Sequence, residues 1–185
     1  MNFEELKKSC EGCEKCALSK TRTQTVFERG SRDAKLMFVG EAPGEKEDLS
    51  GVPFVGPAGQ LFDKYLLAAG LDREEVYICN ILKCRPPRNR DPLPEEQECC
   101  MPYLRDQVRL IRPKIIVCLG RIAACRLISP DFRITKEHGV LYKKGAFLIT
   151  AVYHPSALLR DASKKEEMLK DMLMIAEEYK KLSNE

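Results

Sequence analysis

Four short apolar runs, each rich in β-branched residues, alternate with amphipathic segments in this chain, and this alternation restricts its fold more than any other feature. The runs predict buried strands at residues 35–40, 76–81, 114–120 and 146–153. Parallel strands that alternate with helices are joined by right-handed crossovers, which place helices against the faces of the sheet. The pattern therefore predicts the α/β class, with a central, mainly parallel sheet of four strands that is covered on both faces.

Apolar residues at helical spacing predict four helices, at residues 59–69, 94–111, 122–128 and 164–182. In the second of these, Pro94 lies near the first turn, Glu95 and Glu96 suit the positive end of the helix dipole, and Pro113 ends the helix. The chain shows no internal repeat or low-complexity segment, and its 185 residues suffice for one domain with a substantial core. We therefore expect a single domain over residues 1–185.

Charge and cysteine content restrict the class of function. The chain has 31 basic and 28 acidic residues, a net charge of +3, so any contact with nucleic acid must come from a local patch. The first residues show no apolar signal region and no apolar run approaches the ~20 residues that span a bilayer. We therefore expect a soluble, cytoplasmic protein without a membrane contact. Nine cysteines in such a protein indicate metal or cluster ligation rather than disulfides.

The connection between the first strand and the first predicted helix is unusually long and rich in Gly and Pro. It runs from residue 40 to residue 59, whereas strand-to-helix connections usually have ~2 to 6 residues. It carries three acids, Glu41, Glu47 and Asp48, and one aromatic residue, Phe54. Such a loop can hold and polarise a flat, neutral ligand. The alternative is an ordinary strand-to-helix connection.

Three polar side chains follow or end predicted strands. Glu41, Asn80 and His154 all lie at the carboxyl ends of these strands. Ligands of parallel α/β sheets bind at that edge, and core packing does not require an acid, an amide and an imidazole to converge there. The structural alternatives are a turn-capping Asn80, a hydrogen-bonded structural His154 and a solvent-facing Glu41. Their convergence favours a functional site.

Two groups of cysteines form a candidate metal centre. Cys10, Cys13 and Cys16 have CxxCxxC spacing, and a second group of three flanks a Pro/Arg-rich loop. The second group lacks the CxxC pair of a zinc ribbon, and the first lacks the fourth cysteine and proline of a bacterial ferredoxin motif. The spacing therefore leaves the metal undecided. The second group is Cys84, Cys99 and Cys100, whereas Cys79, Cys118 and Cys125 lie in or beside apolar runs and suit the core.

Five motifs, in order from the first strand to the last, together resemble those of a family 4 uracil-DNA glycosylase. They are GEAPGEKED at 40–48, GVPFVGPAG at 51–59, CN at 79–80, KCRPPRNRDPLPEE at 83–96 and HPSALLR at 154–160. The resemblance extends from Cys13 to Arg160 and implies a three-layer α/β/α sandwich. It also implies a [4Fe-4S] cluster held by Cys13, Cys16, Cys84 and Cys100, since the family's last cysteine precedes x-Pro-aromatic-Leu, here residues 101–104.

The resemblance implies excision of a flipped-out uracil by hydrolysis of its glycosidic bond, which leaves an abasic site. Phe54 would stack on the base, and Asn80 would match uracil O4 and N3-H, where cytosine presents the reverse pattern. His154 would donate to O2 as negative charge grows there. Glu41 would position the attacking water. The predicted uracil-binding residues are Gly40, Glu47, Phe54, Asn80 and His154, with Glu47 excluding the thymine methyl group.

The same resemblance implies a DNA-binding surface for uracil-containing DNA, either double- or single-stranded. Phosphates need backbone N-H groups, hydroxyls and cations, and the space left by a flipped base needs an apolar wedge. The predicted contacts are Gly56, Gly59, Arg85, Arg88, Ser156, Leu158, Leu159 and Arg160. The cluster would hold in place a basic loop, which carries Lys83, Arg85, Arg88 and Arg90. We expect a monomer, and the resemblance leaves open a contact with a sliding clamp or other repair proteins.

Two departures from related families bear on the mechanism. The relatives with GQDPYH-like motifs carry an aspartate where this chain has Ala42, which puts their mode of water activation in question here. A relative that traps DNA covalently has a histidine in the loop that matches residues 85–92, where this chain has none. We therefore expect no cross-linking. The alternative function is a non-catalytic iron-sulfur protein that binds DNA or transfers electrons.

Overall fold

A six-stranded sheet forms the centre of the computed structural model, which describes residues 1–184. The four predicted strands are confirmed, and they lie side by side and parallel. The α/β class is therefore confirmed. In sequence order the strands are β1 (Arg29–Gly30), β2 (Leu36–Gly40), β3 (Tyr77–Asn80), β4 (Ile115–Leu119), β5 (Tyr142–Lys144) and β6 (Phe147–Val152), and their spatial order is β1-β3-β2-β4-β6-β5.

The prediction of four strands was wrong, because a short antiparallel strand lies at each edge of the sheet. β1 pairs with β3, and β5 pairs with β6. These strands have the sequences RG and YKK. Neither contains an apolar run, because an edge strand exposes much of its surface to water. Hydrophobic periodicity therefore gave no signal for them.

The four predicted helices are present, with ends shifted by at most two residues. α4 has the predicted bounds, and α3 begins two residues early, with Pro57 as its first residue and Gly56 as its N-cap. No helix of the described chain has the length and apolar character needed to cross a membrane. The helices are α1 (Phe3–Glu11), α2 (Glu45–Ser50), α3 (Pro57–Ala68), α4 (Pro94–Ile111), α5 (Arg121–Leu127), α6 (Ile134–Glu137), α7 (Pro155–Arg160) and α8 (Lys165–Ser183).

The sheet buries apolar side chains on both faces. Successive side chains of a strand point to opposite faces, so Met37 and Val39 pack in one cluster and Leu36 and Phe38 in the other. The first cluster includes residues of α1, α4 and α5, and the second includes residues of α3, α7 and α8. Burial on both faces explains why the central strands are continuous apolar runs.

The parallel register aligns the carboxyl ends of the central strands. Gly40 at the end of β2 lies opposite Asn80 at the end of β3. On the other side, the N-H of Gly120 after β4 donates to the carbonyl of Val152 in β6. A Cβ atom at Gly120 would lie 2.7 Å from the Cβ of His154, so glycine lets these two chain segments approach. The residues that follow the strands therefore meet at one edge.

Candidate active site

A cavity of about 430 Å³ opens at this carboxyl edge. Its wall includes Glu41, Asn80 and His154, the three side chains that were predicted to converge. Phe54 and Glu47, from the long loop after β2, complete that part of the wall. The strand ends and the loop therefore form one concave site, in which an acid, an amide and an imidazole lie beside an aromatic ring.

Asn80 presents a buried acceptor at this site. The residue is 2% exposed, and its Oδ1 has no hydrogen-bond partner among the described residues. A Cβ atom at Gly40 would lie 2.3 Å from this oxygen and 2.7 Å from Cζ of Phe54, so only glycine fits there. A buried polar atom without a partner costs about 1–3 kcal/mol. The site retains this cost, as expected if a ligand supplies the missing donor.

Phe54 has an unusual backbone conformation. Its φ angle of 56° lies in the left-handed region, which costs a residue with a side chain about 1–2 kcal/mol. Its ring centroid lies 5.5 Å from that of Phe62 in α3 and 5.8 Å from that of His154, with an angle of 33° between the Phe54 and His154 planes. The strained backbone thus positions the ring beside the imidazole at the cavity wall.

His154 has a defined tautomer because it caps α7. Its Nδ1 accepts a hydrogen bond from the N-H of Ser156 at 3.1 Å and lies 2.7 Å from the Ser156 hydroxyl. An imidazole nitrogen that accepts cannot carry the proton, so the neutral ring is protonated at Nε2. Burial, together with the charge of Arg160, lowers the pKa of His154 to about 4. At neutral pH the site therefore contains an uncharged imidazole with an Nε2-H donor.

Glu41 has the opposite shift. Burial raises the pKa of its carboxyl group to about 7, and the negative charge of Asp91 acts in the same direction, while Arg121 and Arg160 oppose it. The group is therefore close to half ionised at neutral pH. A carboxylate of this basicity is suited to accept a proton from water.

Glu47 connects α2 to the start of α3 at the cavity wall. Its Oε1 accepts a hydrogen bond from the N-H of Gly56 at 3.3 Å, so the first turn of α2 is tied to the start of α3. A Cβ atom at Gly44 would lie 3.1 Å from its Oε2. The carboxylate thus lies against the backbone of both glycines at the cavity wall.

The predicted DNA contacts fall into three groups. Gly56, Ser156 and Leu159 line the cavity, and Leu159 is 54% exposed. Arg88 and Arg160 are exposed, and Arg85 is half-buried with its Nε donating to Asn89. Two residues lie elsewhere: Leu158 is buried in the core, and a Cβ atom at Gly59 would lie 1.9 Å from the Phe54 carbonyl oxygen. The last two positions correspond to packing rather than to an exposed surface.

Sequence reasoning missed the way in which the basic loop reaches the cavity. Asn89 and Arg90 contribute to the wall. Arg90 forms two hydrogen bonds with Glu96 in the first turn of α4, of 2.9 and 2.6 Å, and Glu96 also accepts from the Leu93 N-H. Asn89 and Arg90 gave no periodic signal, although Pro94 followed by Glu96 in the first helical turn marks a helix start that could have indicated an anchored loop.

The four cysteines predicted as ligands lie around one region between the N-terminal segment and the start of α4. Cys84 and Cys100 are buried, and Cys13 and Cys16 are half-buried. Arg22 donates to the Cys84 sulfur at 3.4 Å and to the Cys13 carbonyl at 2.8 Å, and the N-H of Lys83 donates to the Cys100 sulfur at 3.4 Å. Donors aimed at sulfur stabilise thiolates, which is the ligand form of cysteine.

The donor set of this cysteine region is that of an iron-sulfur cluster. No three His, Cys, Asp or Glu side chains of the described residues are close enough together to hold one metal ion. Iron-sulfur clusters are held by four cysteine thiolates, and four cysteines are present here. Burial raises the pKa of Cys84, and of Cys100 to about 11, and neighbouring cysteines contribute to both shifts. Because burial disfavours the charged thiolate form of these cysteines, they fit a site in which a positively charged metal group would compensate the thiolate charge.

Comparison with known proteins identifies the family. Residues 27–175 match the family model described as the uracil DNA glycosylase superfamily. The chain belongs to this superfamily. The resemblance seen in its motifs is therefore confirmed.

Curated members of the superfamily cover most of the chain. A type-4 uracil-DNA glycosylase of Archaeoglobus fulgidus is 47% identical over 173 residues, which are 89% of this chain and 87% of that protein. One from Thermotoga maritima is 44% identical over 153 residues, 82% of this chain and 80% of that protein. One from Sulfurisphaera tokodaii is 41% identical over 185 residues, 95% of this chain and 84% of that protein.

Proposed function

We propose that this chain is a monofunctional uracil-DNA glycosylase, which hydrolyses the N-glycosidic bond of uracil in DNA and leaves an abasic site. The observation that carries the proposal is the buried, unpartnered Oδ1 of Asn80 beside the ring of Phe54. Its membership of the superfamily, and the type-4 uracil-DNA glycosylases among its relatives, support the same reaction.

Recognition depends on Asn80 and Phe54. The amide oxygen accepts from uracil N3-H, and the amide nitrogen donates to O4, whereas cytosine presents an acceptor and a donor in the reverse order. The Phe54 ring stacks on the flipped base and offsets part of the few kcal/mol that extrusion costs. Gly40 supports both contacts, because any side chain there would collide with both residues.

His154 assists departure of the base. As the glycosidic bond breaks, uracil leaves as an anion with negative charge on O2, and the Nε2-H of the neutral imidazole donates to that oxygen. Because Ser156 holds Nδ1 as an acceptor, the donor is oriented before the reaction. One such preorganised donor typically contributes about 10² to 10³ in rate.

Glu41 and Glu47 have different roles in the proposal. Glu41, when ionised, accepts a proton from the attacking water and stabilises the cationic sugar. Glu47 lies at the wall where the 5-position of the base would approach, and its bond to Gly56 holds it there, so it would exclude the thymine methyl group. Ala42 beside Glu41 offers no second carboxylate at that position, and Glu47 is bonded to Gly56, so Glu41 is the candidate base.

DNA would contact the rim of the cavity. Gly56 and Ser156 lie at helix starts on the rim, the basic side chains Arg85, Arg88 and Arg160 are placed to meet phosphates, and exposed Leu159 is the candidate wedge. We leave Gly59 and Leu158 out of this surface because both are packed inside. We also propose that the protein is a monomer of one domain with a three-layer arrangement, which the two apolar clusters support.

A [4Fe-4S] cluster would be held by Cys13, Cys16, Cys84 and Cys100. When bound, it would cross-link the N-terminal segment to the basic loop. In the chain itself, Arg22 already joins Cys13 to Cys84, and Lys83 joins the same loop to Cys100. These contacts support a structural role in holding the DNA-facing loop.

The test is an excision assay with the iron-replete protein. An end-labelled oligonucleotide with one uracil is incubated with the protein and then treated with alkali. Cleavage at uracil, but not at thymine or cytosine, and only after alkali, is the expected result. Absence of cleavage would refute the proposal and favour a non-catalytic iron-sulfur protein, whereas cleavage without alkali would refute the monofunctional mechanism.

A further inference from the structure

Arg73 lies outside the cavity but contacts the loop that forms its aromatic wall. The residue is in the turn between α3 and β3, and its side chain is 10% exposed. Its Nη2 donates to the carbonyl of Phe54 at 2.8 Å and to that of Pro53 at 3.1 Å. Its Nη1 pairs with Asp63 on α3. One guanidinium group therefore ties two consecutive loop carbonyls to a helix.

The backbone at Phe54 needs such support. Its left-handed φ angle of 56° is unfavourable for phenylalanine and persists only if the surroundings impose it. Gly59 packs against the Phe54 carbonyl from within α3, where even a methyl group would collide. Arg73 donates to the same carbonyl. The conformation that brings the ring beside His154 is therefore fixed through this one peptide group.

The chemistry of the contact favours arginine over lysine. A planar guanidinium can donate to two carbonyls and a carboxylate at once, whereas an ammonium on a flexible stem does not present donors in a fixed plane. The Arg73 Nε is buried and has no partner among the described residues, so this side chain is retained at a cost. This unfavourable burial indicates that Arg73 is retained for its hydrogen bonds to the loop.

We propose that Arg73 is a positioning residue for base recognition, which acts by holding Phe54 in its stacking conformation. The inference rests on the proposed function, because it takes Phe54 as the residue that stacks on uracil. Arg73 itself touches no reacting atom and does not line the cavity.

The test is a double-mutant cycle of Arg73→Met and Phe54→Ala, with inhibition by free uracil as the readout. Arg73→Met is expected to weaken inhibition about tenfold in the wild-type background and to have little further effect in Phe54→Ala, since coupled residues are not additive. Equal weakening in both backgrounds, or none in the wild type, would overturn the proposal. Arg73→Lys should restore only part of the inhibition by free uracil that Arg73→Met loses. If Arg73→Met does not fold, Arg73→Lys takes its place in the cycle.

A second readout separates this inference from the function. Protein labelled with 4-fluorophenylalanine gives a ¹⁹F resonance for Phe54, which a Phe54→Leu variant identifies. The resonance should move in Arg73→Met and stay in place in Arg29→Met. Arg29 is a suitable control because its Nη2 lies 3.9 Å from the Glu74 carboxylate instead of bonding to the loop. If the wild type fails to excise uracil but the resonance moves, the positioning role stands and the function falls. A fixed resonance in an excising protein would refute the positioning role alone.

Discussion

Asn80 is the residue on which base recognition depends in the proposed mechanism, so its replacement has a sharp expected effect. Asn80→Ala should lower kcat/KM for uracil excision by about 10³ or more, because a site built to hydrogen-bond a ligand loses most when that bond is absent. Binding of DNA that lacks uracil should be unchanged. Steady-state excision and fluorescence anisotropy measure the two quantities.

Thr150→Val provides the matched control for Asn80→Ala. Thr150 is also buried in the sheet with an unpartnered oxygen, but it lies in β6 away from the cavity wall. Its replacement should leave excision unchanged. Full activity of Asn80→Ala would show that another group recognises the base, and equal losses in both variants would point to general disruption of the sheet.

Glu41 gives the reaction a predictable pH dependence. Because burial raises its pKa to about 7, kcat/KM should rise tenfold per pH unit below pH 7 and level off above it, as Glu41 becomes ionised. His154, with a pKa of about 4, stays neutral throughout this range. Glu41→Gln should abolish this rise of kcat/KM below pH 7, the acid limb of the profile, as well as most of the activity. A limb that survives in this variant would assign the ionisation to another group.

The raised pKa of Glu41 also makes the folded protein less stable as the pH rises, whereas the same rise in pH makes the enzyme more active. A carboxyl group whose pKa is raised on folding favours the folded state at low pH, and this contribution is lost as the pH rises through about 7. The Tm of Glu41→Gln relative to the wild type should therefore increase from pH 5 to pH 8. A constant difference in Tm would contradict the assigned pKa.

Residue type and position relative to strands were enough to predict which side chains converge, but not their backbone conformation, their supporting contacts or their pKa values. Glu41, Asn80 and His154 could be placed from the ends of apolar runs, since parallel strands share one edge. The positive φ of Phe54 and the clamp from Arg73 had no sequence signal, because both depend on contacts between segments that are distant along the chain. The pKa values depend on burial in the folded protein for the same reason.

At the scale of elements, the end of β2 is constrained by Gly40. Gly40→Ala should abolish uracil excision while leaving a folded protein, because the new methyl group would displace the Asn80 oxygen or the Phe54 ring. Free-uracil affinity and circular dichroism are the measurements. Gly12→Ala is the control, because its Cβ would lie 3.8 Å from the Lys8 carbonyl oxygen and its φ is −89°. Normal uracil affinity in Gly40→Ala would show that the base does not occupy this part of the cavity.

The predicted elements show which sequence signals are strong. The bounds of α4 followed from Pro94 at its start and Pro113 after its end, since proline limits helices at both positions. By contrast, α2 and α7 each have six residues and lie in loops that frame the cavity. A helix of that length has less than two turns of periodicity, so its pattern cannot be distinguished from a loop.

At the scale of the whole molecule, the sheet separates two tasks. The first apolar cluster, with α1 and α4, includes Cys84 and Cys100. The second, with α3 and α8, includes Phe54 and Leu158. The cavity lies at the edge where the two faces meet, with the cysteine region on one face of the sheet and the aromatic wall on the other. Motif order placed these parts along the chain, but only the structure shows on which face of the sheet each part lies.

This separation predicts that loss of the cluster weakens DNA binding before it alters the uracil pocket. Cys100→Ala should lose iron, and its affinity for DNA should fall about tenfold, because loss of the phosphate contacts of Arg85 and Arg88, at about 0.7 kcal/mol each, removes about 1.4 kcal/mol. The slope of log affinity against log salt should decrease by about two, while free-uracil affinity stays unchanged. Iron content, anisotropy and calorimetry measure the three quantities.

The neighbouring cysteine supplies the control for this prediction. Cys99 is half-buried, and its thiol donates to the Lys15 carbonyl at 3.3 Å, so Cys99→Ala should keep its iron and its DNA affinity. Unchanged DNA affinity in a folded, iron-free Cys100→Ala would refute a structural role for the cluster at the DNA surface. Loss of iron from Cys99→Ala, with retention in Cys100→Ala, would reverse the ligand assignment. Because the two residues are adjacent on α4, the comparison separates ligation from local packing.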